Sequence, residues 1–212
     1  MIEENEEQLK EVLSKVDTKG VDVMARPIKG NPFEGIARVS KQLNIDLIIL
    51  SPQSLDIKEE RYLGNTTGKI VKQTEIPLLI IPRDYLFKKI QTILLAFKDG
   101  NFDKEKIFTP LKNITQLFSA DLNLLQVFTP DNQESENEID SELLEMKNKL
   151  THTENATIFQ GILEHFQSQN PDLLCVIRRK RGFFQKFKEK NVIYKHEFHT
   201  SKPLLVLSGK ME

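Results

Sequence analysis

The chain has 212 residues, 39% of them hydrophobic and 29% charged, and its 30 basic and 31 acidic side chains leave a formal net charge of -1. This composition describes a globular protein with material for a core, and it gives no global pull toward nucleic acid or acidic membranes, so any such binding must come from a local patch. One cysteine, Cys175, excludes an intramolecular disulfide framework, no apolar run approaches the ~18 residues of a membrane span, and the acidic start Met1–Glu7 is no secretory signal, so a cytoplasmic protein is expected.

In chain order, residues 3–16 place Leu9, Val12, Leu13 and Val16 at helical spacing among acids and lysines, which predicts an amphipathic helix. Val21 to Met24 alternates β-branched residues and predicts a short strand. Gly30-Asn31-Pro32 predicts a turn, with Asn31 as N-cap and Pro32 at the first position of a helix that carries Ile36, Val39 and Leu43 on one face. Ile45 to Leu50 is nearly all apolar, as a strand covered on both faces is. A polar loop leads to Gly64-Asn65, a helix with Ile70 and Val71, and the strand Leu78 to Ile81, which Pro82 ends.

After the short basic linker Arg83 to Lys89, a strand is predicted over Ile90 to Phe97 and a helix over 103–118, with Ile107, Leu111, Ile114 and Phe118 at helical spacing. The strand Leu122 to Phe128 leads into an acidic, exposed loop over 129–142. A helix over 141–150, the strand Thr157 to Phe159, a helix over 160–169, a strand over 173–177, a helix near 191–200 and a strand over 204–207 complete the chain. Strands and helices alternate throughout, which argues for parallel sheet with helices on both faces.

The chain also repeats itself at an offset of 126 residues. Phe33, Gly35 and Ile36 recur as Phe159, Gly161 and Ile162; Asn44, Asp46 and Leu47 recur as Asn170, Asp172 and Leu173. Asn65, Lys69 and Thr74 recur as Asn191, Lys195 and Thr200, and Pro77-Leu78-Leu79 recurs as Pro203-Leu204-Leu205. One shared offset without gaps marks a duplicated unit. The second copy reads β-α-β-α-β-α-β-α-β, whereas the first has no counterpart of the opening strand, helix and strand before Met1.

These residues resemble the universal stress protein family, in its tandem form. A Gly-Asn-Pro turn precedes a helix at Gly30-Asn31-Pro32, and a strand of Asp-Leu-Ile-Val type follows at Asp46–Ile49 and at Asp172–Cys175. A last strand that opens on proline is matched by Pro77–Ile81 and Pro203–Leu207. The resemblance implies an α/β fold of two Rossmann-like (adenine nucleotide alpha hydrolase-like) parallel-sheet domains in tandem. Residues 1–84 would form the first, lacking its first β-α-β, and residues 88–212 the complete second. In the family the missing first strand lies at the sheet centre, so its absence would expose unpaired backbone. Either the sequence is a fragment, another chain supplies the strands, or strands three and four of the first copy close up directly.

Nucleotide-binding members of the family carry G-x2-G-x9-G-[ST], whose glycines let backbone amides approach phosphate at a helix start. In the first copy the spacing falls on Ser51, Ser54, Gly64 and Asn65, and Gly30 belongs to the preceding turn. Of the motif only Gly64 is kept, and a helix N-cap explains Gly64-Asn65 by itself. In the second copy the spacing falls on Ile177, Lys180, Lys190 and Asn191, with no glycine. The acidic residue expected after strand one is replaced by Lys98, or is Asp99 if the alignment slips by one. No cofactor is therefore expected, with ATP as the alternative.

Seven basic residues and three phenylalanines crowd into residues 178–190: Arg178, Arg179, Lys180, Arg181, Lys186, Lys188 and Lys190 with Phe183, Phe184 and Phe187. Such a loop can keep its cations in water while the rings pack, or contact an anion or a protein partner, or stack bases. His196 and His199 lie three apart without further ligands, so no metal is expected. No nucleophile elbow, phosphate loop or zinc-protease run is present, and no enzyme activity is expected. The reading is a non-enzymatic stress protein acting through homodimerisation and contacts with a protein partner, without nucleic acid or membrane. The alternatives are an ATP- or AMP-binding sensor and an anion- or RNA-binding module built on the basic loop.

Overall fold

The computed structural model describes residues 2–51, 70–71, 74–83, 85–102, 107–130, 139–178 and 202–208. It divides into two compact units, Met1–Asn44 and Ile45–Glu212.

In the first unit, α1 (Ile2–Ser14) begins with Glu3 and Glu4 in its first turn, where carboxylates complement the exposed amides of a helix N-terminus. Leu9 and Leu13 are half-buried, while Val12 and Val16 stay exposed. Helix α2 (Pro32–Gln42) starts as expected: Asn31 is extended, its side-chain oxygen accepts from the Phe33 amide at 2.9 Å, and Pro32 occupies the first turn. Gly30 just before it has φ +107°, a conformation that suits a residue without Cβ. Gly35 lets the helix approach Ile28 closely, since a Cβ there would stand 2.5 Å from the Ile28 Cγ2.

The second unit is built on one seven-stranded sheet in the order β1-β2-β7-β6-β3-β4-β5. Its strands are β1 (Ile48–Leu50), β2 (Leu78–Ile80), β3 (Thr92–Phe97), β4 (Asp121–Phe128), β5 (Lys149–Glu154), β6 (Leu173–Arg178) and β7 (Leu204–Ser208). All neighbours run parallel except β2 and β7, which are antiparallel. Its helices include α3 (Thr109–Phe118), α4 (Ser141–Met146) and α5 (Ile158–Gln169), and Ile70 and Val71 are helical as well. Alternate residues of each strand face opposite sides. Ile93, Leu95, Leu122, Leu124, Leu173, Cys175, Leu205 and Leu207 form one core with Phe108, Leu111 and Ile114 at α3 and Leu143 of α4. On the other face α5 packs over β4, with Gly161 so near Val127 that a Cβ would meet its Cγ1 at 2.7 Å. The predicted α/β class with mainly parallel sheet and helices on both faces is what forms.

The two copies meet in the sheet. β1 pairs β2 with Ile48 opposite Leu78, and β6 pairs β7 with Leu174 opposite Leu204, so the two pairs are the same ladder 126 residues apart. Across the antiparallel seam Leu79 faces Leu205, its own repeat equivalent, with Leu78 opposite Val206 and Ile80 opposite Leu204. A local twofold relation thus passes between Leu79 and Leu205. The tandem strands share a single sheet.

Three expectations need correction. Val21–Met24 is neither helix nor strand. The repeat equivalent of this region is β5, which is held as a strand by its ladder with β4. Without a ladder, β propensity alone does not hold a strand. Thr157–Phe159 is a helix start: Thr157 accepts from the Gln160 amide at 3.2 Å as the N-cap of α5. The strand at this edge is instead β5, polar and half-exposed. Finally, the helix predicted over 141–150 stops at Met146, because Lys149 onward joins β4. The helix expected near 191–200 lies outside the described residues, as does most of the acidic loop.

Candidate functional site

The sheet changes direction between β6 and β3: the chain moves from β3 to β4 and β5 on one side and to β6 and β7 on the other. In open α/β sheets the ligand crevice lies outside the carboxyl ends of the strands at such a reversal. Here that place is framed by the segment Lys98–Phe102 after β3, by Thr129 after β4, and by Arg178 at the end of β6.

The segment after β3 is held at three points. Gln126 of β4, buried, donates through Nε2 to the Lys98 carbonyl at 3.4 Å. The Gly100 carbonyl accepts from the Asp140 amide at 2.9 Å, and Asp140 in turn caps α4 by accepting from the Glu142 amide. The Phe102 ring meets Phe97 and Phe108 edge-on, with centroids 6.1 and 5.2 Å apart. Each such edge contact adds about 0.5–1.5 kcal/mol beyond burial. Lys98 and Asp99 are half-buried within this segment.

Arg178 closes the other side and is only 6% exposed. Its Nη1 donates to the Val71 carbonyl at 2.7 Å and its Nη2 to the Thr74 carbonyl at 2.6 Å. Ser208 Oγ lies 3.5 Å from both Nη2 and the Thr74 carbonyl. The guanidinium thus donates charge-assisted hydrogen bonds to two backbone carbonyls of the first copy. Burial lowers its pKa from the ordinary arginine value, and Glu75 opposes that shift.

At the opposite, amino end of the strands Asp172 holds β3. Its Oδ2 accepts from the Gln91 and Thr92 amides at 3.0 and 3.1 Å, with the Thr92 hydroxyl at 3.4 Å and Lys202 Nζ 3.9 Å from Oδ1. Thr92 Oγ1 accepts in return from the Asp172 amide. This carboxylate ties β6 to β3.

Of the residues singled out in the sequence, Gly30 is exposed ahead of α2 and Ser51 is exposed at the carboxyl end of β1; they belong to different units. Ser54, Gly64, Asn65, Arg179, Lys180, Arg181, Lys186, Lys188 and Lys190 lie outside the described residues. Arg178 departs from the solvated basic loop: it is drawn inward onto backbone carbonyls of the first copy. Gln126 and Asp172 escaped the sequence reading. Asp172 had left a signal, since it recurs as Asp46, whereas nothing in the local pattern marks Gln126. Among the described residues no group of three or more His, Cys, Asp or Glu could hold a metal, and no helix is long and apolar enough to cross a membrane.

The order of strands, the crossovers on both faces and the strand-end crevice define an α/β protein of the doubly wound kind. Residues 1–82 match the Universal stress protein family. The described fold overlays on a structure from Pseudomonas aeruginosa UCBPP-PA14 described as a universal stress protein, with a TM-score of 0.67 at 16% identity, covering 97% of this chain and 78% of that one. A universal stress protein from Archaeoglobus fulgidus DSM 4304 gives 0.67 at 17% identity, covering 98% and 77%. A protein of unknown function from Pseudomonas aeruginosa PAO1 gives 0.67 at 16%, covering 97% and 78%. No curated protein matches the chain in sequence. Residues 1–82 are thus similar to that family, and the sheet has the fold of the solved structures just described.

Proposed function

We propose that this is a non-enzymatic, cytoplasmic universal stress protein that acts through dimerisation and protein contacts, without a resident nucleotide. The observation that carries the reading is the state of the strand-end crevice. Polar groups that could receive a phosphate or a base there are engaged within the chain: Arg178 on the Val71 and Thr74 carbonyls, and Gln126 on Lys98. The segment after β3 is pinned by the Phe97–Phe102–Phe108 stack, and the glycine spacing that lets amides approach phosphate is degenerate in both copies. Contact-mediated action is supported by apolar side chains left in water. Val21, Val23 and Met24 in the first unit are 66%, 50% and 70% exposed; Ile49, Leu86 and Phe87 in the second are 63%, 85% and 73% exposed.

Native mass spectrometry with and without ATP and magnesium tests this. The expected spectrum is a dimer whose mass ignores the nucleotide. An increment matching ATP or AMP would establish a nucleotide sensor instead, and a monomer at all concentrations would remove the dimer.

A further inference from the structure

The seam between the copies is a short join. It pairs three residues of β2 with three of β7, against six pairs between β3 and β4 and four between β3 and β6. Among the described residues, Leu47 and Leu79 are the only apolar side chains of the first copy packed against the main core, and both are half-buried. Ladder and core together therefore give the β1–β2 pair a modest hold on the rest of the sheet.

Arg178 adds to that hold. From the end of β6 its guanidinium spans the end of β7, where Ser208 Oγ lies 3.5 Å from Nη2, and donates to the Val71 and Thr74 carbonyls. Thr74 lies between the helical Ile70–Val71 and β2: its amide donates to the Ile70 carbonyl at 3.0 Å, and its Oγ1 accepts from the Ile76 amide at 3.2 Å. One buried cation thus grips the turn that delivers β2 to the seam, through charge-assisted bonds. The local twofold through Leu79 and Leu205 would ask residue 52 for the same grip at the other end of the seam. That residue is Pro52, which has no side-chain donor. The grip lies at the Leu78–Val206 end and residue 52 does not repeat it at the Ile80–Leu204 end.

We infer that Arg178 is the latch of a hinge at the seam. While it holds the Thr74 turn, β1 and β2 open only with the rest of the sheet. When it is lost they come away together, and β7, β6, β3, β4 and β5 stay assembled around Leu205 and Cys175. Sub-global opening of this kind follows the weakest boundary between cooperative units. A detached two-stranded pair is not stable alone, so its amides then exchange with solvent. Arg178 is a positioning residue here, acting through the Thr74 turn.

The test follows urea unfolding of the full chain with two probes: pulsed hydrogen exchange of β1 and β2, read by mass spectrometry, and reaction of Cys175 with a thiol reagent. The wild type should lose both protections at one midpoint. In Arg178→Gln the exchange midpoint should fall below the Cys175 midpoint, so that one transition becomes two. Without urea, exchange of β2 should speed about tenfold, the loss of hydrogen bonds from a charged donor. Arg178→Lys keeps a charged donor without the planar fork and should close part of the gap; it carries the test if the Gln variant does not fold. Midpoints that stay coincident in both variants, whether shifted or not, overturn the latch, because Arg178 would then be one stabilising contact among many. Two transitions already present in the wild type overturn it as well. ATP uptake in the mass spectrum would sink the non-nucleotide reading and leave the latch untouched, so the two failures are distinguishable.

Discussion

Cys175 shows how one residue reports on the whole core. It lies at the middle of β6 with no exposed surface, and burial pushes its thiol pKa far above the ordinary range. In the unfolded chain the thiol ionises near ~8.5, while the folded chain keeps the proton well above that. The unfolded state therefore binds fewer protons once the pH exceeds its own pKa, and stability falls as pH rises, by about 1.4 kcal/mol per pH unit from that one group. It is fully present below pH ~8.5. Denaturant titrations from pH 8 to 10 should show this decline in the wild type and a shallower one in Cys175→Ala. Cys175→Ser, which buries a hydroxyl, should cost about 1–3 kcal/mol at neutral pH; an unchanged melting temperature would mean the site is open to water. Arg178 makes the complementary point. Composition places it in a cationic run, but the carbonyls it reaches, on Val71 and Thr74, are more than a hundred positions away in the chain, at separations of 107 and 104.

At the level of elements, the start of α2 at Asn31-Pro32 was well marked in the sequence and the start of α5 was not. Asn31 caps α2 and Thr157 caps α5, each accepting an amide from the first turn, and the two positions are repeat equivalents. The strand predicted over Thr157–Phe159 rested on β-branched residues alone, although the offset to Asn31 already pointed to a cap. Thr157→Ala should lower stability by about 1 kcal/mol, measured by urea unfolding; no change would leave the bond to Gln160 without energetic weight. β5 was missed for a different reason. An edge strand has one partner and buries little, so Lys149-Leu150-Thr151-His152-Thr153-Glu154 carries no apolar run to announce it. Val21–Met24 had the stronger strand signal and forms none, because propensity cannot replace a ladder partner.

For the whole molecule, the consequential feature is the antiparallel seam. It converts strands of two repeats into one sheet in which Leu205, fully buried, serves both the seam and the main core. The strands from Ile48 to Ser208 should therefore unfold as a unit. Leu205→Ala is expected to remove about 2–5 kcal/mol and to shift one transition, seen alike by circular dichroism and by the reactivity of Cys175 toward a thiol reagent. Two separated transitions would mean that the seam does not couple the copies. The seam also leaves β1 and β5 as the sheet's outer strands.

The sequence by itself determined the α/β class, the duplication, the cap at Asn31 and the degenerate phosphate spacing. These are local periodicities, short-range side-chain-to-amide geometry, or identities compared at one fixed offset. The tertiary structure alone decided that β2 joins β7, that Arg178 turns inward onto the first copy, and that Asp172 receives the Gln91 and Thr92 amides. Hydrogen bonds between strands depend on which backbone edges are left unpaired once the sheet assembles, and that is a property of all the strands together.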